Sequence, residues 1–455
     1  MCCLGRTFKA TEKGNPSMIE PSWPPTKLIN SSSSSPKDAR QVGLDKESVL
    51  GMIYENHPFI LTAGQPITGE FAFDLSTATG PKTIPVIELA IENGNSCTRM
   101  MALHFLTHQA VITEIPSVYE EQASNLIYSA GERGESWQIE NPDGTRSAIF
   151  HIGEYADNHQ DLPIGPTFVR WSAPRFVDFN RACIVRTLRA AGYGPGIHSL
   201  CVCPGARNEE VSVEKGVDSR AQDAFMKGLQ SFVIWHNQVE RYEIRIVEVT
   251  AAIPQTFGSY YAFDTDLVGR SLHPNVPMWN WFDIGFYDGH DVTVRRIGRN
   301  LRVSGVKVTD GMARMVREMG AYLRQPGNFP IMDPPSYAQA LDMMRTEEVK
   351  IGGMPLDNLA EIERGRWLIH TYKDKEGGQL IRTMMANHPN IDSVFAFTGG
   401  GTIDLAEQIK EQTRHRPKNL TRILPPEVAR IANVAGIYWL LNLSKRKRSI
   451  LRSSH

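Results

Sequence analysis

The sequence predicts a mixed α/β protein built from two related halves, on three observations. At 455 residues the chain exceeds what one compact core ordinarily serves. From about residue 83 its readable segments mix strands and helices. Each half also opens on a strand, a small-residue or acidic turn, and a returning strand. The first is Pro85–Ile91, Asn93-Gly94-Asn95-Ser96 and Met100–Leu106. The second is Trp279–Ile284, Gly285 and Asp291–Arg296.

Composition sets the limits. With 41% hydrophobic and 22% charged residues and a formal net charge of −1, the chain can build real cores and has no global basic character suited to nucleic acid. A basic run, Lys445–Arg448 with Arg452 beyond, reads first as a solvated helix end and second as a contact for DNA or a DNA-bound adaptor. The six cysteines form no disulfide framework. Cys201 and Cys203 share one face of a strand and are expected to be core thiols, not metal ligands, as in a reducing cytoplasm. No apolar run is long enough to span a bilayer, and Met1–Phe8 lacks a signal-peptide core, so a soluble protein without membrane partners is expected.

Along the chain, residues 1–46 are rich in Pro, Ser and Lys and read as a flexible tail. Residues 47–82 form an extension with a candidate short helix at Val49–Tyr54. Domain I is expected at 83–265, completed by 428–443. Domain II is expected at 266–427, and a basic tail at 444–455. Within domain I, Phe176–Ala191 has helical spacing and stops at Gly192. A strand at Ser199–Val202 ends in Pro204-Gly205, Phe232–Trp235 and Tyr242–Val249 form a hairpin, and Phe257-Gly258-Ser259 lies at a helix entry. In domain II, Met312, Met315, Val316, Met319 and Leu323 mark the core face of a helix capped by Thr309 or Asp310. Ile391–Phe397 is a buried strand, followed by Thr398-Gly399-Gly400-Gly401 and a helix over Thr402–Gln412.

Four motifs have chemistry to offer. In Glu92-Asn93-Gly94-Asn95-Ser96-Cys97-Thr98-Arg99, glycine lets backbone N–H groups approach phosphate, Ser96 and Thr98 add hydroxyls, and Arg99 adds charge. Glu92, at the strand end, suits a hydrated magnesium ion. In Asp283-Ile284-Gly285-Phe286-Tyr287-Asp288-Gly289-His290-Asp291 a carboxylate again precedes a glycine loop. Gly399-Gly400-Gly401 gives a base or ribose room against the backbone at a helix entry. Gln255, after Pro254, is a neutral donor and acceptor able to orient a water. Taken singly, each is outweighed or equalled by an ordinary turn or surface residue.

Their order changes the reading. The chain resembles the superfamily of actin, the heat-shock chaperones and the sugar kinases, and most of all the bacterial and archaeal actin-like proteins, including plasmid-partition actins of the ParM/StbA type. The resemblance rests on Ile91–Ser96, Ile115-Pro116-Ser117-Val118, Val202-Cys203-Pro204-Gly205, Ile253-Pro254-Gln255, Phe282-Asp283-Ile284-Gly285, Phe397–Gly401 and Ala432-Asn433-Val434-Ala435-Gly436. It implies a duplicated, ribonuclease H-like two-domain fold with ATP or GTP and magnesium in an interdomain cleft. Glu92 and Asp283 would hold the metal through water. Asn93, Gly94, Asn95, Ser96, Cys97, Thr98 and Arg99, with Gly285, Phe286, Tyr287, Asp288 and Gly289, would bracket the phosphates. Gly399, Gly400 and Gly401 would flank the adenosine, and Gln255 would position the attacking water.

The resemblance further implies a filament-forming ATPase used in plasmid segregation or intracellular positioning. A monomeric kinase of the same superfamily and a nucleotide sensor without hydrolysis are the alternatives. Two departures stand out: the family usually has Asp where Glu92 stands, and small residues where Phe286-Tyr287 stand. Either His290 or Asp291 would face the metal.

Overall fold

The computed structural model describes residues 86–441 apart from 95–96, 107–109, 122–133, 157–159, 164–165, 208–209, 213–215, 266–270, 298–299, 310, 330–334, 336, 352–353, 387, 389–391, 418–419 and 425. The expected N-terminal tail and extension, the basic C-terminal run, and Asn95 and Ser96 lie outside the described residues. The chain forms two compact units. The larger takes the described residues up to Pro274 and those from Ile431 on, and the smaller is Asn275–Arg430.

The larger unit begins with an antiparallel meander: β1 (Val86–Asn93), β2 (Cys97–Leu103) and β3 (Ala110–Pro116). Next come the short strands β4 (Val118–Glu121), β5 (Trp137–Glu140), β6 (Phe150–Ile152) and β7 (Gln160–Asp161). Helices α1 (Thr167–Ser172) and α2 (Pro174–Ala190) lead to β8 (Gly196–Ala206), which runs parallel to β1. A two-stranded ribbon, β9 (Val211–Ser212) with β10 (Gly216–Val217), precedes α3 (Ser219–Gly228), β11 (Phe232–His236) and β12 (Glu240–Val249). β12 is parallel to β8 and antiparallel to β11. The sheet order is β3-β2-β1-β8-β12-β11-β5-β6-β4-β7, and β13 (Ile253–Pro254) adds to the far end of β8. α4 (Gln255–Asp264) follows directly.

In the smaller unit β14 (Met278–Ile284), β15 (Gly289–Ile297) and β16 (Asn300–Thr309) form a second meander. Then come α5 (Met312–Leu323), α6 (Tyr337–Thr346), a small ribbon of β17 (Lys350–Ile351) and β18 (Met354–Pro355), α7 (Leu359–Tyr372) and α8 (Gly378–Met385). β19 (Val394–Thr398) is parallel to β14, and β20 (Thr421–Ile423) is parallel to β19. Between them lie α9 (Gly400–Asp404) and α10 (Ala406–Thr413), and α11 (Pro426–Ala429) follows β20. The order β16-β15-β14-β19-β20 repeats β3-β2-β1-β8-β12 in sequence order and in strand sense. The two halves are therefore one topology used twice. A last helix, 432–441, returns to the larger unit.

Sequence explains much of this locally. Pro174 opens α2, where its missing N–H costs nothing, and Gly192 closes it at φ +83°, with Tyr193 N–H donating back to Leu188 O at 2.9 Å. The α2 face bearing Phe176, Phe179, Cys183, Ile184 and Leu188 is wholly buried. Cys201 and Cys203 on β8 are buried as well; burial pushes the Cys203 thiol up to about 12 and the Cys183 thiol well above its usual range, so both stay protonated core thiols.

Two local expectations need correction. α5 is capped by no side chain: its N-cap is Gly311 at φ +64°, Thr309 belongs to β16, and Asp310 lies outside the described residues. The helix expected over Thr402–Gln412 is two helices, α9 and α10, because Leu405 leaves the helical region to bury its side chain against Gly377.

The methionine face of α5 does pack the smaller core, with Met312, Met315, Val316, Met319 and Leu323 all buried. Met319→Ala should cost roughly 2–5 kcal/mol in urea unfolding. Arg317→Ala, at an exposed position of the same helix, should stay within about 0.5 kcal/mol.

Candidate functional site

The larger unit brings four separate stretches of sequence to one point, Gly205 at the end of β8. A Cβ there would lie 2.9 Å from Ile437 Cδ1, 3.1 Å from Gln255 Cγ and 3.2 Å from Ile91 O. The pairings Ile91↔Pro204 and Ile253↔Gly205 set this convergence. A side chain there would be tight and would require Ile437 and Gln255 to shift.

Above that point stands the β1–β2 tip. Glu92 pairs across the hairpin with Arg99, and Asn93 with Thr98. Arg170 of α1, buried, donates from Nη1 to Asn93 O at 2.8 Å and from Nη2 to Gly94 O at 3.0 Å. Gln255 Nε2 donates to the same Asn93 O at 3.2 Å, and Ser117 Oγ to Gly94 O at 3.3 Å. Gly94 must be glycine, because a Cβ would stand 2.7 Å from Cys97 O. A guanidinium fork thus fixes the turn from below, a charge-assisted arrangement stronger than neutral bonds.

The tip's side chains are largely committed inward. Asn93 Nδ2 donates to Thr98 Oγ1 at 2.9 Å and to Asn180 Oδ1 at 2.7 Å, and both Asn93 and Thr98 are buried. Cys97 is buried, with Sγ 3.7 Å from Glu114 Oε1. Arg99 bridges two carboxylates, Glu92 at 3.6 Å and Glu114 at 3.4 Å. Glu92 Oε1 also accepts from Asn433 Nδ2 at 3.2 Å, and Asn433 Oδ1 in turn accepts from Ser259 Oγ at 2.5 Å.

In the smaller unit, Asp283 pairs with His290 across the hairpin and sits beside Thr398 of parallel β19. Gly399, at φ +86°, lies against the Asp283 carboxylate: a Cβ there would be 2.2 Å from Oδ1. Gly401 is pressed on Ile284 in the same way, with 2.4 Å to Cγ2, while Gly400 is open. The Asp283 hairpin and the triple glycine are therefore one local assembly. Phe286 O and Gly285 O accept from Ala313 N at 2.6 Å and Met312 N at 3.2 Å, so the loop's carbonyls cap α5. Phe286 and Tyr287 stack edge to face at 4.8 Å. His290 shares the face of Asp283 and pairs with Asp288 at 3.3 Å. Asp291 points to the opposite face, where it is buried against His388. Of the two candidates, His290 is the one beside Asp283.

No family model and no curated protein matches the sequence. Solved structures do match. The actin-like protein Alp7A superposes with a TM-score of 0.58 at 12% identity, covering 81% of this chain and 100% of that one. Ta0583, an archaeal actin homolog, gives 0.56 at 13% identity over 79% and 100% of the two chains. ParM from a 15-stranded Clostridium botulinum filament gives 0.51 at 14% identity over 79% and 100%. The chain has the actin-like fold. One structure of Ta0583 is a complex with ADP.

Within the actin-like fold the two hairpin tips hold equivalent places. Glu92 and Asp283 each stand one residue before the end of the first strand of their unit, beside the parallel strand. The sequence reading did not name Arg170, Asn180 or Asn433 as site residues. Arg170 and Asn180 carry no local motif, and Asn433 lies in the Ala432–Gly436 stretch, whose sequence assigns it no contact. Among the described residues no cluster of three or more His, Cys, Asp or Glu side chains could hold a metal directly. A hydrated magnesium ion needs only one or two carboxylates, and Arg99 already meets the charge of Glu92.

The helix 432–441 crosses α4 backbone to backbone, since a Cβ on Gly436 would stand 1.7 Å from Gly258 O. Gly436→Ala should destabilise by about 3 kcal/mol, the upper end of overpacking costs. Gly194→Ala, which meets open space, should change thermal unfolding little.

Proposed function

We propose that the chain is a nucleotide-dependent, self-associating actin-like protein that binds ATP or GTP with magnesium through its two acidic hairpin tips. The observation that carries this is the repeated placement of a carboxylate and a glycine turn, Glu92-Asn93-Gly94 and Asp283-Ile284-Gly285, at the same position of a duplicated sheet. On this reading Asp283, with Glu92, holds the hydrated metal. The backbone of residues 93–98 and 285–289 receives phosphate oxygens. Gly399, Gly400 and Gly401 lie beside the nucleoside, with open Gly400 the point of closest approach. Gln255, tethered by Nε2 to Asn93 O, keeps Oε1 to orient the attacking water.

The ADP complex of Ta0583 and the ParM filament support nucleotide use and self-association respectively. Plasmid or other DNA cargo, reached through a DNA-bound adaptor, is the matching role, and a cytoplasmic setting fits it. No helix among the described residues is long and apolar enough to cross a membrane. A second reading, nucleotide sensing without hydrolysis, draws on one observation: Arg99 pairs with Glu92 and so competes with the metal for that carboxylate. A monomeric kinase would need a base beside an acceptor pocket, and turnover of sugars or acetate would reveal it.

Adding ATP or GTP with magnesium should raise light scattering, followed by decay as phosphate is released. Gln255→Ala should slow phosphate release by up to about a hundredfold while assembly persists. Nucleotide binding without phosphate release would select the sensor, and absence of any nucleotide-dependent scattering or pelleting would refute assembly.

A further inference from the structure

On the smaller unit, at the opposite end of β19 from the triple glycine, lies a cavity of about 300 Å³. It is formed where α8 ends, the chain enters β19, and α10 finishes. Its described lining divides by chemistry. Arg382, His388, His415 and Arg416 supply cationic or N–H donor groups, and Met385, Ala386 and Phe395 supply an apolar wall. None of these lining residues carries a carboxylate. Asp291 stands behind His388, bonded to its Nε2, and so fixes the ring.

Arg416 is the anchor. It is 8% exposed, its guanidinium stacks on Phe395 with Cζ 3.6 Å from the ring centroid, and Nη2 donates to Ser393 O at 2.6 Å. One edge and one face of the fork are thereby fixed, which preorganises the group. Burial disfavours its charged form. Arg382 reaches the same rim from α8, held by Gln412 at 3.2 Å. The His388 ring stands edge-on to Phe282 at 5.5 Å, so it too has a set direction.

We propose that this cavity binds a small organic phosphate monoester, with the phosphate among Arg382, Arg416 and His415 and the carbon portion against Met385 and Phe395. Two guanidinium groups and the His415 imidazole match the three terminal oxygens of a phosphate, whereas a carboxylate offers only two. The volume lies at the small end of ligand sites, which limits the guest to about one ring. The site is separate from the hairpin tips and does not depend on their reading.

Phenyl phosphate is the probe, titrated into the full-length protein with and without saturating ADP and magnesium. The ¹³C-methyl resonance of Met385, assigned through Met385→Leu, reports occupancy at this place alone. A saturable shift is expected whether or not ADP is present. Arg382→Ala and His415→Ala, both at exposed positions, should each weaken binding about tenfold, and Arg416→Lys should weaken it while keeping the charge. The proposal is overturned by a Met385 signal that never moves, by equal affinity in the Arg382 and His415 variants, or by loss of binding when ADP is added. Phenol or benzoate binding as tightly as phenyl phosphate would equally remove the phosphate assignment.

Discussion

Two helices in the larger unit touch with no side chain between them. Gly258 of α4 and Gly436 of the returning helix meet so closely that a methyl group on either would overlap the other backbone. That contact sets the positions around it. It brings Asn433 to Ser259 on one side and to Glu92 on the other. It presses Ile437 onto Gly205, where Gln255 and the end of β1 also arrive. Because α4 begins with Gln255, the crossing fixes the height of that side chain over the β1–β2 turn. A segment near the chain's end thus governs geometry in its first third. The close approach of the two backbones permits these hydrogen bonds, and Ile437, Trp439, Tyr260 and Phe263 are buried on the same two helices.

Around Glu92 the charges are paired in series. Arg99 lies between Glu92 and Glu114, and Asn433 adds a neutral donor. Arg99 is only 14% exposed at its side chain, so solvent screens these pairs less than it would at a surface. The longer glutamate side chain reaches both Arg99 and Asn433, which an aspartate, one methylene shorter, would approach less closely. In the smaller unit Asp283 has glycine on one side and the hairpin on the other.

What the sequence disclosed was mostly what is encoded locally. Both hairpins, the stop at Gly192, the core cysteines of β8 and the methionine face of α5 follow from spacing, turn residues and alternation, and all are present. The ordered motifs also led to the fold, because glycine at a crowded point leaves a trace that a variable side chain does not. The remainder depends on partners far along the chain. Arg170 and Asn180 support the β1–β2 tip from helices roughly eighty residues away, which no spacing rule reveals. Gly311 took the capping place expected of Thr309 or Asp310, since the carbonyls of Gly285 and Phe286 already fill the role. The choice between His290 and Asp291 needed the register of β14 with β15, which fixes the face each residue occupies.

The duplicated sheet ends differently in its two copies. In the larger unit β12 is covered by β11 and the short strands beyond it. In the smaller unit its counterpart β20 has no further strand paired to it among the described residues, and at the other end β16, like β3, is an outer strand, running from Asn300 to Thr309. A long margin of this kind offers a template of amide and carbonyl groups to any extended chain. Its sequence, Asn-Leu-Arg-Val-Ser-Gly-Val-Lys-Val-Thr, breaks the apolar run with Arg302, Gly305 and Lys307. Those interruptions act as gatekeepers: they lower the risk that newly made chains add to one another edge to edge before the smaller unit has closed.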